Sequence, residues 1–125
     1  MMQFENSSQA IYLQIVTYVC EQIIKKKWTA GDKIPSVREL GVNLEVNPNT
    51  VMRSYDVLKT EEIIFDKRGI GYFIAPEGEK RALAYLQKQF TKYELPLLFK
   101  SMLLLNMEPE SLVKPFEAYK KKNGF

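Results

Sequence analysis

The sequence predicts a mainly α-helical fold with one small β-hairpin, because three helical patterns are followed directly by two short β-prone runs. Apolar residues recur at helical spacing from 9 to 27, and shorter helical patterns extend to about Leu44 and about Thr60. The β-prone runs, 63–65 and 72–74, are separated by a segment that contains two glycines. This order of three helices and a hairpin is typical of a winged helix-turn-helix.

Local signals mark where each of the first three helices begins. Ser7 or Ser8 is expected to cap the first helix. Ser36 and Glu39 have the spacing of a capping box, in which each side chain binds a free backbone N–H group at the helix start. Asn47 is a suitable N-cap residue, and the proline that follows it suits the first helical position. The second and third helices are therefore predicted to be short and joined by a tight turn.

The composition limits the classes of function. A chain of 125 residues, 46% hydrophobic and 26% charged, has enough apolar material for one small domain and an extension. It lacks histidine and has one cysteine, Cys20, which is expected to pack in the core, so we expect no metal and no cofactor. No apolar run approaches the roughly 18 residues of a membrane span, so the protein is expected to be cytoplasmic, without a membrane partner.

Net charge does not by itself indicate a nucleic-acid partner. Residues 1–76 contain nine basic and nine acidic side chains, and residues 77–125 contain nine basic and six acidic ones, so the whole excess of +3 lies in the second part. A case for DNA binding must therefore rest on where individual charged side chains lie.

The same division separates two predicted parts, a winged helix-turn-helix over residues 1–76 and a helical dimerisation extension over residues 77–125. Pro96 and Pro115 are expected to kink or interrupt the extension. Its apolar stripe needs a partner surface, which a second copy of the chain supplies by twofold symmetry, and the alternative is that the stripe folds back onto the winged helix. The predicted dimerisation residues are Leu86, Phe90, Leu97, Leu98, Met102 and Leu105.

The third helix carries side chains that suit reading of a DNA major groove. Arg53 can donate two hydrogen bonds to guanine and Asn49 can pair in the same way with adenine, so these two residues are the candidate base readers. Asn47 and Thr50 lie at the helix start, where free backbone N–H groups bind phosphate. Taken singly, Arg53 would more often be a solvated helix residue, and only the combination favours base reading.

The hairpin loop carries two cations and two glycines. Lys67 and Arg68 can reach the DNA backbone or the minor groove, and Gly69 and Gly71 allow close approach. The alternatives are that the glycines only close the turn and that the cations only solubilise the loop. Four aromatic residues are interpreted as packing residues rather than base-stacking platforms: Tyr12, Trp28, Tyr55 and Phe73.

Several separated motifs occur over about residues 9–75: Ile11–Ile15, Gly31–Leu40, Val46–Val51, Arg53–Tyr55 and Lys67–Phe73. In order and distance they closely resemble the GntR family of bacterial transcription regulators. The resemblance implies that Arg38, polar residues of the third helix and Gly69 contact operator DNA. The predicted DNA-binding residues are Ser36, Arg38, Asn47, Pro48, Asn49, Thr50, Arg53, Lys67, Arg68, Gly69 and Gly71.

The short second part resembles the YtrA subfamily, in which a two-helix extension forms the dimer. This resemblance implies a homodimer that binds an inverted repeat and represses an operon, often one for an ABC transporter, and it leaves open whether a small-molecule effector binds. Three positions depart from the family pattern, since Gly41 replaces a common alanine and Glu45 and Glu62 replace common glycines. The two glutamates place negative charge near the DNA.

Two other classes of function are alternatives. A winged helix can bind protein through its third helix and hairpin, but apolar groups are then expected where this chain has Asn49, Thr50 and Arg53. An enzyme would need a site built from carboxylates, and no spacing of aspartate and glutamate suggests paired acid and base roles. The sequence therefore favours a sequence-specific DNA-binding regulator that is not an enzyme.

Overall fold

A computed structural model describes residues 9–125, in which three helices precede an antiparallel hairpin, as the sequence predicts. The chain divides into two compact units, the first ending at Gln87 and the second running from Lys88 to Phe125. The elements of the first unit are α1 (Ile11–Ile24), α2 (Val37–Leu44), α3 (Pro48–Thr60), β1 (Ile64–Lys67), β2 (Gly71–Ile74) and nearly all of α4 (Gly78–Gln89). The predicted mainly α-helical fold with a small hairpin is confirmed.

The core of the first unit lies between α1, α3 and the hairpin. The apolar face of α1 is buried, and Ile15 and Val19 pack in one cluster with Tyr55 and Leu58 of α3. The Tyr55 hydroxyl keeps a partner although it is buried, because it donates to the carbonyl oxygen of Pro35 at 2.7 Å. Cys20 packs in the core as predicted, where burial raises the pKa of its thiol to about 12.

The hairpin is held in a fixed register by a tight loop and by a neighbouring edge segment. Ile64 pairs with Ile74 and Lys67 with Gly71, which places both strands slightly closer to the loop than the sequence predicted. Residues 31–34 run alongside β2, since the Ile34 amide donates to Tyr72 at 3.0 Å and the Ile74 amide donates to Asp32 at 3.0 Å. This edge segment connects the helices to the hairpin at residues 64–74, which is the wing of the winged helix-turn-helix.

The helix starts follow the predicted capping signals with one exception. The Ser36 hydroxyl accepts from the Glu39 amide at 3.0 Å and the Glu39 carboxylate accepts from the Ser36 amide at 2.9 Å, so the capping box is confirmed. These hydrogen bonds lower the pKa of Glu39. Helix α1 has Ala10 at its N-cap position without a side-chain cap, and the predicted caps Ser7 and Ser8 lie outside the described residues.

Helices α2 and α3 both end in a left-handed glutamate. Glu45 (φ 56°) and Glu62 (φ 58°) stand where glycine normally allows this conformation. After α2 the amides of Glu45 and Val46 donate to Val42 and Gly41, and the same two-bond pattern follows α3. The two departures from the family pattern therefore keep the turn geometry of glycine at the cost of backbone strain.

We expect Glu45→Gly to raise the free energy of unfolding by about 1 kcal/mol, because glycine adopts the left-handed conformation without the clash of a Cβ atom. Urea denaturation of the full chain measures the change. Glu45→Ala is the matched control, since it removes the same charge but keeps the strained Cβ. Equal stabilisation by both variants would show that the charge, and not the backbone, sets the effect.

The second unit is helical. A π-helical segment (Phe90–Glu94) leads into α5 (Leu95–Leu104), and a 3-10 turn (Pro109–Leu112) leads into α6 (Val113–Lys122). The interruption predicted at Pro96 takes the form of this π-helical segment, which lies directly before α5. The Leu95 amide donates to the Phe90 carbonyl oxygen, so the hydrogen bond spans five residues instead of four immediately before the proline. Within residues 9–125, no helix is both long enough and apolar enough to cross a bilayer.

Candidate nucleic-acid interface

Helices α2 and α3 are joined by a close turn that depends on a glycine. Leu40, Leu44 and Val51 are buried between these helices and the core. A Cβ atom added to Gly41 would lie 3.0 Å from the carbonyl oxygen of Val46, tighter than an ordinary contact. The glycine at a position where alanine is common therefore permits close packing of this turn against α2.

The start of α3 forms the central part of the candidate interface. Asn47, Pro48 and Asn49 are exposed and Thr50 is half-buried, so the predicted residues lie together at one helix end. The Asn47 Oδ1 atom accepts from the Asn49 amide at 2.8 Å, as expected for an N-cap. Since that oxygen is used, the Asn47 amide nitrogen is the atom that stays free to donate to a phosphate.

Arg53 lies on the second turn of α3, and its side chain is exposed. Its guanidinium carbon is 3.8 Å from the centre of the Tyr12 ring in α1. Among the described residues, no hydrogen bond or ion pair occupies the Arg53 side chain. The sequence predicts that Arg53 is exposed. It does not predict this contact, because Tyr12 and Arg53 lie 41 positions apart in the chain.

Arg38 is exposed in the first turn of α2. Glu39 and Glu45 are near it in sequence, but Arg38 forms an ion pair with neither within the part of the chain that the structure describes. Glu39 is held instead by the capping box with Ser36. The Arg38 guanidinium is therefore available to a ligand.

The wing ends in an open turn. Gly69 has a φ of 78°, and a Cβ atom added there would meet no atom within 4 Å, so its backbone is accessible. Lys67 and Arg68 are exposed, and the Lys67 ammonium lies 4.7 Å from the centre of the Phe73 ring. The Tyr72 hydroxyl lies 3.9 Å from the sulfur of Met52, which joins the wing to α3.

One further cation, Lys33, lies at the base of the wing and is not among the site residues predicted from the sequence. The Lys33 side chain crosses Gly71, since a Cβ atom added to Gly71 would lie 2.8 Å from the Lys33 Cε atom. Lys33 belongs to the edge segment that bridges to Phe73. Its position follows from that pairing, so the missing signal was the strand character of residues 31–34.

The predicted dimerisation residues differ in exposure. Leu97 and Leu105 are 66% and 67% exposed, whereas Met102 is only 6% exposed within its own chain. Leu86 is half-buried and packs against the core of the first unit, so part of its surface is already covered. The remaining two residues, Phe90 and Leu98, are exposed.

These features define a winged helix-turn-helix. Two helices are joined by a tight turn, the second of them exposes polar side chains at its start, and a basic hairpin with an accessible glycine follows. The profile of the gntR family of bacterial regulatory proteins matches residues 11–74. The chain therefore belongs to the gntR family and is a transcription regulator, as its resemblance to that family indicated.

Relatives extend the similarity beyond the winged helix. The chain is 34% identical to the HTH-type transcriptional regulator YhcF of Bacillus subtilis over 94% of both chains. It is 38% identical to the transcriptional repressor YtrA of the same organism over 85% of this chain and 81% of the relative. A solved GntR family transcriptional regulator from Listeria monocytogenes is 35% identical, with a TM-score of 0.73 over 92% of this chain and 98% of that one. The YtrA-like resemblance is thus confirmed.

Proposed function

We propose that the protein is a repressor that binds an inverted-repeat operator as a homodimer, with the start of α3 in the major groove and the wing beside it. The observation that supports this most strongly is the Arg53 side chain, which is exposed on α3 with its donors unused by the described residues. A repressor role is supported by the similarity to YtrA, which is a repressor. By the same resemblance, an ABC transporter operon is the proposed target.

The proposed contacts fall into two kinds. Arg53 and Asn49 read base edges, because a guanidinium and a carboxamide can each form two hydrogen bonds with one base. Phosphate contacts set the position of the protein on the duplex. The residues proposed for those contacts, and for close approach to the DNA backbone, are Ser36, Arg38, Asn47, Pro48, Thr50, Lys67, Arg68, Gly69 and Gly71.

The homodimer is supported by the apolar surface of the second unit. Leu103 is 81% exposed and Leu104 is 73% exposed. Other exposed apolar side chains of the same unit are Phe90, Tyr93, Leu97, Leu98, Phe99, Leu105, Met107, Val113, Phe116, Tyr119 and Phe125. A soluble chain that left so much apolar surface in water would tend to associate, and twofold pairing covers it.

We expect Arg53→Ala to weaken operator binding by about 1–3 kcal/mol and to leave binding to unrelated DNA nearly unchanged, because a base contact adds only to the specific complex. The operator is first obtained by selection from a random DNA pool with the wild-type protein. Fluorescence anisotropy then gives both dissociation constants at one salt concentration. An equal loss on both DNAs would show that Arg53 contacts only the backbone.

A protein-interaction module is the second candidate, and it is favoured by the exposed apolar side chains of Met52 on α3 and Ile70 on the wing. DNA binding through phosphates weakens steeply as salt concentration rises, whereas an apolar protein interface changes little. A selection that enriches no DNA sequence, together with salt-independent partner binding, would favour this second function.

A further inference from the structure

The contact between Arg53 and Tyr12 places two groups in a particular relation. The guanidinium carbon lies over the Tyr12 ring, 3.8 Å from its centre. This distance fits a guanidinium that faces the ring, because an N–H group directed at the ring would hold the carbon farther away. The hydrogen-bond donors of arginine lie in the plane of the guanidinium and point outward from its edge. Stacking therefore holds the group in place but does not use its donors, in contrast to a salt bridge.

The backbone of Tyr12 is itself tied to α3. Its carbonyl oxygen accepts a hydrogen bond from the Ser54 hydroxyl at 2.7 Å, and Ser54 is fully buried. The same hydroxyl lies 3.1 Å from the Thr50 carbonyl oxygen, which belongs to the preceding turn of α3. Because Ser54 directly follows Arg53, this buried hydroxyl fixes the place where the ring meets the guanidinium.

No nearby carboxylate competes with the Tyr12 ring for the Arg53 guanidinium among the described residues. Asp56 and Glu61 line the same surface notch as Tyr12 and Arg53, yet neither carboxylate lies within ion-pair distance of Arg53. A carboxylate pair would occupy the donor edge and would have to break before DNA could bind. The aromatic ring leaves that edge ready for an acceptor.

We infer that Tyr12 is a positioning residue for operator recognition, which orders the Arg53 guanidinium before DNA arrives. The inference rests on the proposed base-reading role of Arg53. A flexible arginine loses conformational freedom when it binds a base, and a stacked arginine has lost much of it beforehand. Tyr12 therefore raises the preference for operator over unrelated DNA without touching a base itself.

The test compares Tyr12→Leu with Tyr12→Phe in the full-length chain. Leucine keeps apolar bulk but removes the ring, and phenylalanine keeps the ring. The ratio of affinities for the selected operator and for a scrambled duplex of equal length is measured at one salt concentration. We expect Tyr12→Phe to match the affinity ratio of the wild type. Tyr12→Leu should lower this ratio about 2- to 5-fold per subunit, which is the change in affinity that the loss of an exposed cation–π contact causes.

Combining Tyr12→Leu with Arg53→Ala separates positioning from general stability. In the Arg53→Ala background, the loss of the ring should not lower the ratio further. An unchanged ratio for Tyr12→Leu alone, or an equal loss in both backgrounds, would overturn the inference. If Arg53→Ala itself leaves the ratio unchanged, base reading by Arg53 fails first, and positioning fails with it.

Nuclear magnetic resonance gives a readout that does not depend on DNA or on the folding of the leucine variant. The Arg53 side-chain protons should show a ring-current upfield shift in wild type and in Tyr12→Phe. Ordinary chemical shifts for Arg53 in the wild-type protein would contradict the stacking.

Discussion

Replacing Leu97 and Leu105 by glutamate is expected to convert the protein to a monomer and to weaken operator binding by about 100-fold or more. Both side chains are about two-thirds exposed, at 66% and 67%, so the substitutions create no buried charge within one chain. In the proposed dimer they would place two charges per subunit in an apolar interface, which is strongly unfavourable. The loss in affinity follows because a monomer reads only one half-site.

Analytical ultracentrifugation measures the first effect and operator titration measures the second. The matched control is Lys122→Glu in α6, which changes the net charge by −2, as does the pair of leucine substitutions. The control should stay dimeric and should lose only the small electrostatic share of DNA affinity. A variant that remains dimeric with both glutamates would show that the surface containing Leu97 and Leu105 does not form the interface.

Most of the first unit could be predicted from local sequence patterns. Capping signals such as Ser36 and Asn47 act on backbone groups within three residues, so the sequence alone contains the partners. The hairpin strands were predicted because β-prone residues flank a glycine-containing loop. Their boundaries differed because pairing between Lys67 and Gly71 extends the ladder toward the turn.

The features that sequence reasoning missed depend on contacts between distant residues. Lys33 lies beside the wing because residues 31–34 bridge to β2, and no local pattern of alternation indicated a strand there. The sequence predicts a packing role for Tyr12, and only the packing of α1 against α3 shows that its ring contacts Arg53. Such contacts are set by tertiary packing, which a single sequence does not reveal.

The division into two compact units falls later along the chain than the predicted domain boundary. The sequence placed the boundary after Pro76, where the hairpin pattern ends. In the structure, the first unit continues to Gln87, and Ala82 of α4 is fully buried in its core. Leu86 is a predicted dimerisation residue that packs partly against this core, and the sequence pattern alone could not show which surface would cover it.

Gly78→Ala is expected to lower the free energy of unfolding by about 1–3 kcal/mol, because the start of α4 packs too closely for a side chain. An added Cβ atom would lie 2.8 Å from the carbonyl oxygen of Ile63 and 2.8 Å from a methyl carbon of Ile74. The carbonyl oxygen cannot rotate away, since it accepts from the Ala75 amide at 3.0 Å. Both contacts lie beneath the wing, so relief of the overlap must move α4 or the strands.

Urea denaturation of the full chain measures this loss, and Lys80→Ala on the exposed side of α4 is the control. The control should change the free energy of unfolding by less than about 0.5 kcal/mol, as exposed helix positions generally do. Alanine has the higher helix propensity, by about 1 kcal/mol over glycine, so packing and propensity act in opposite directions at this position. Stabilisation by Gly78→Ala would therefore contradict the prediction, because it would mean that α4 can move away from the wing at little cost. The close contact of Gly78 with Ile63 and Ile74 would then not hold the wing in place.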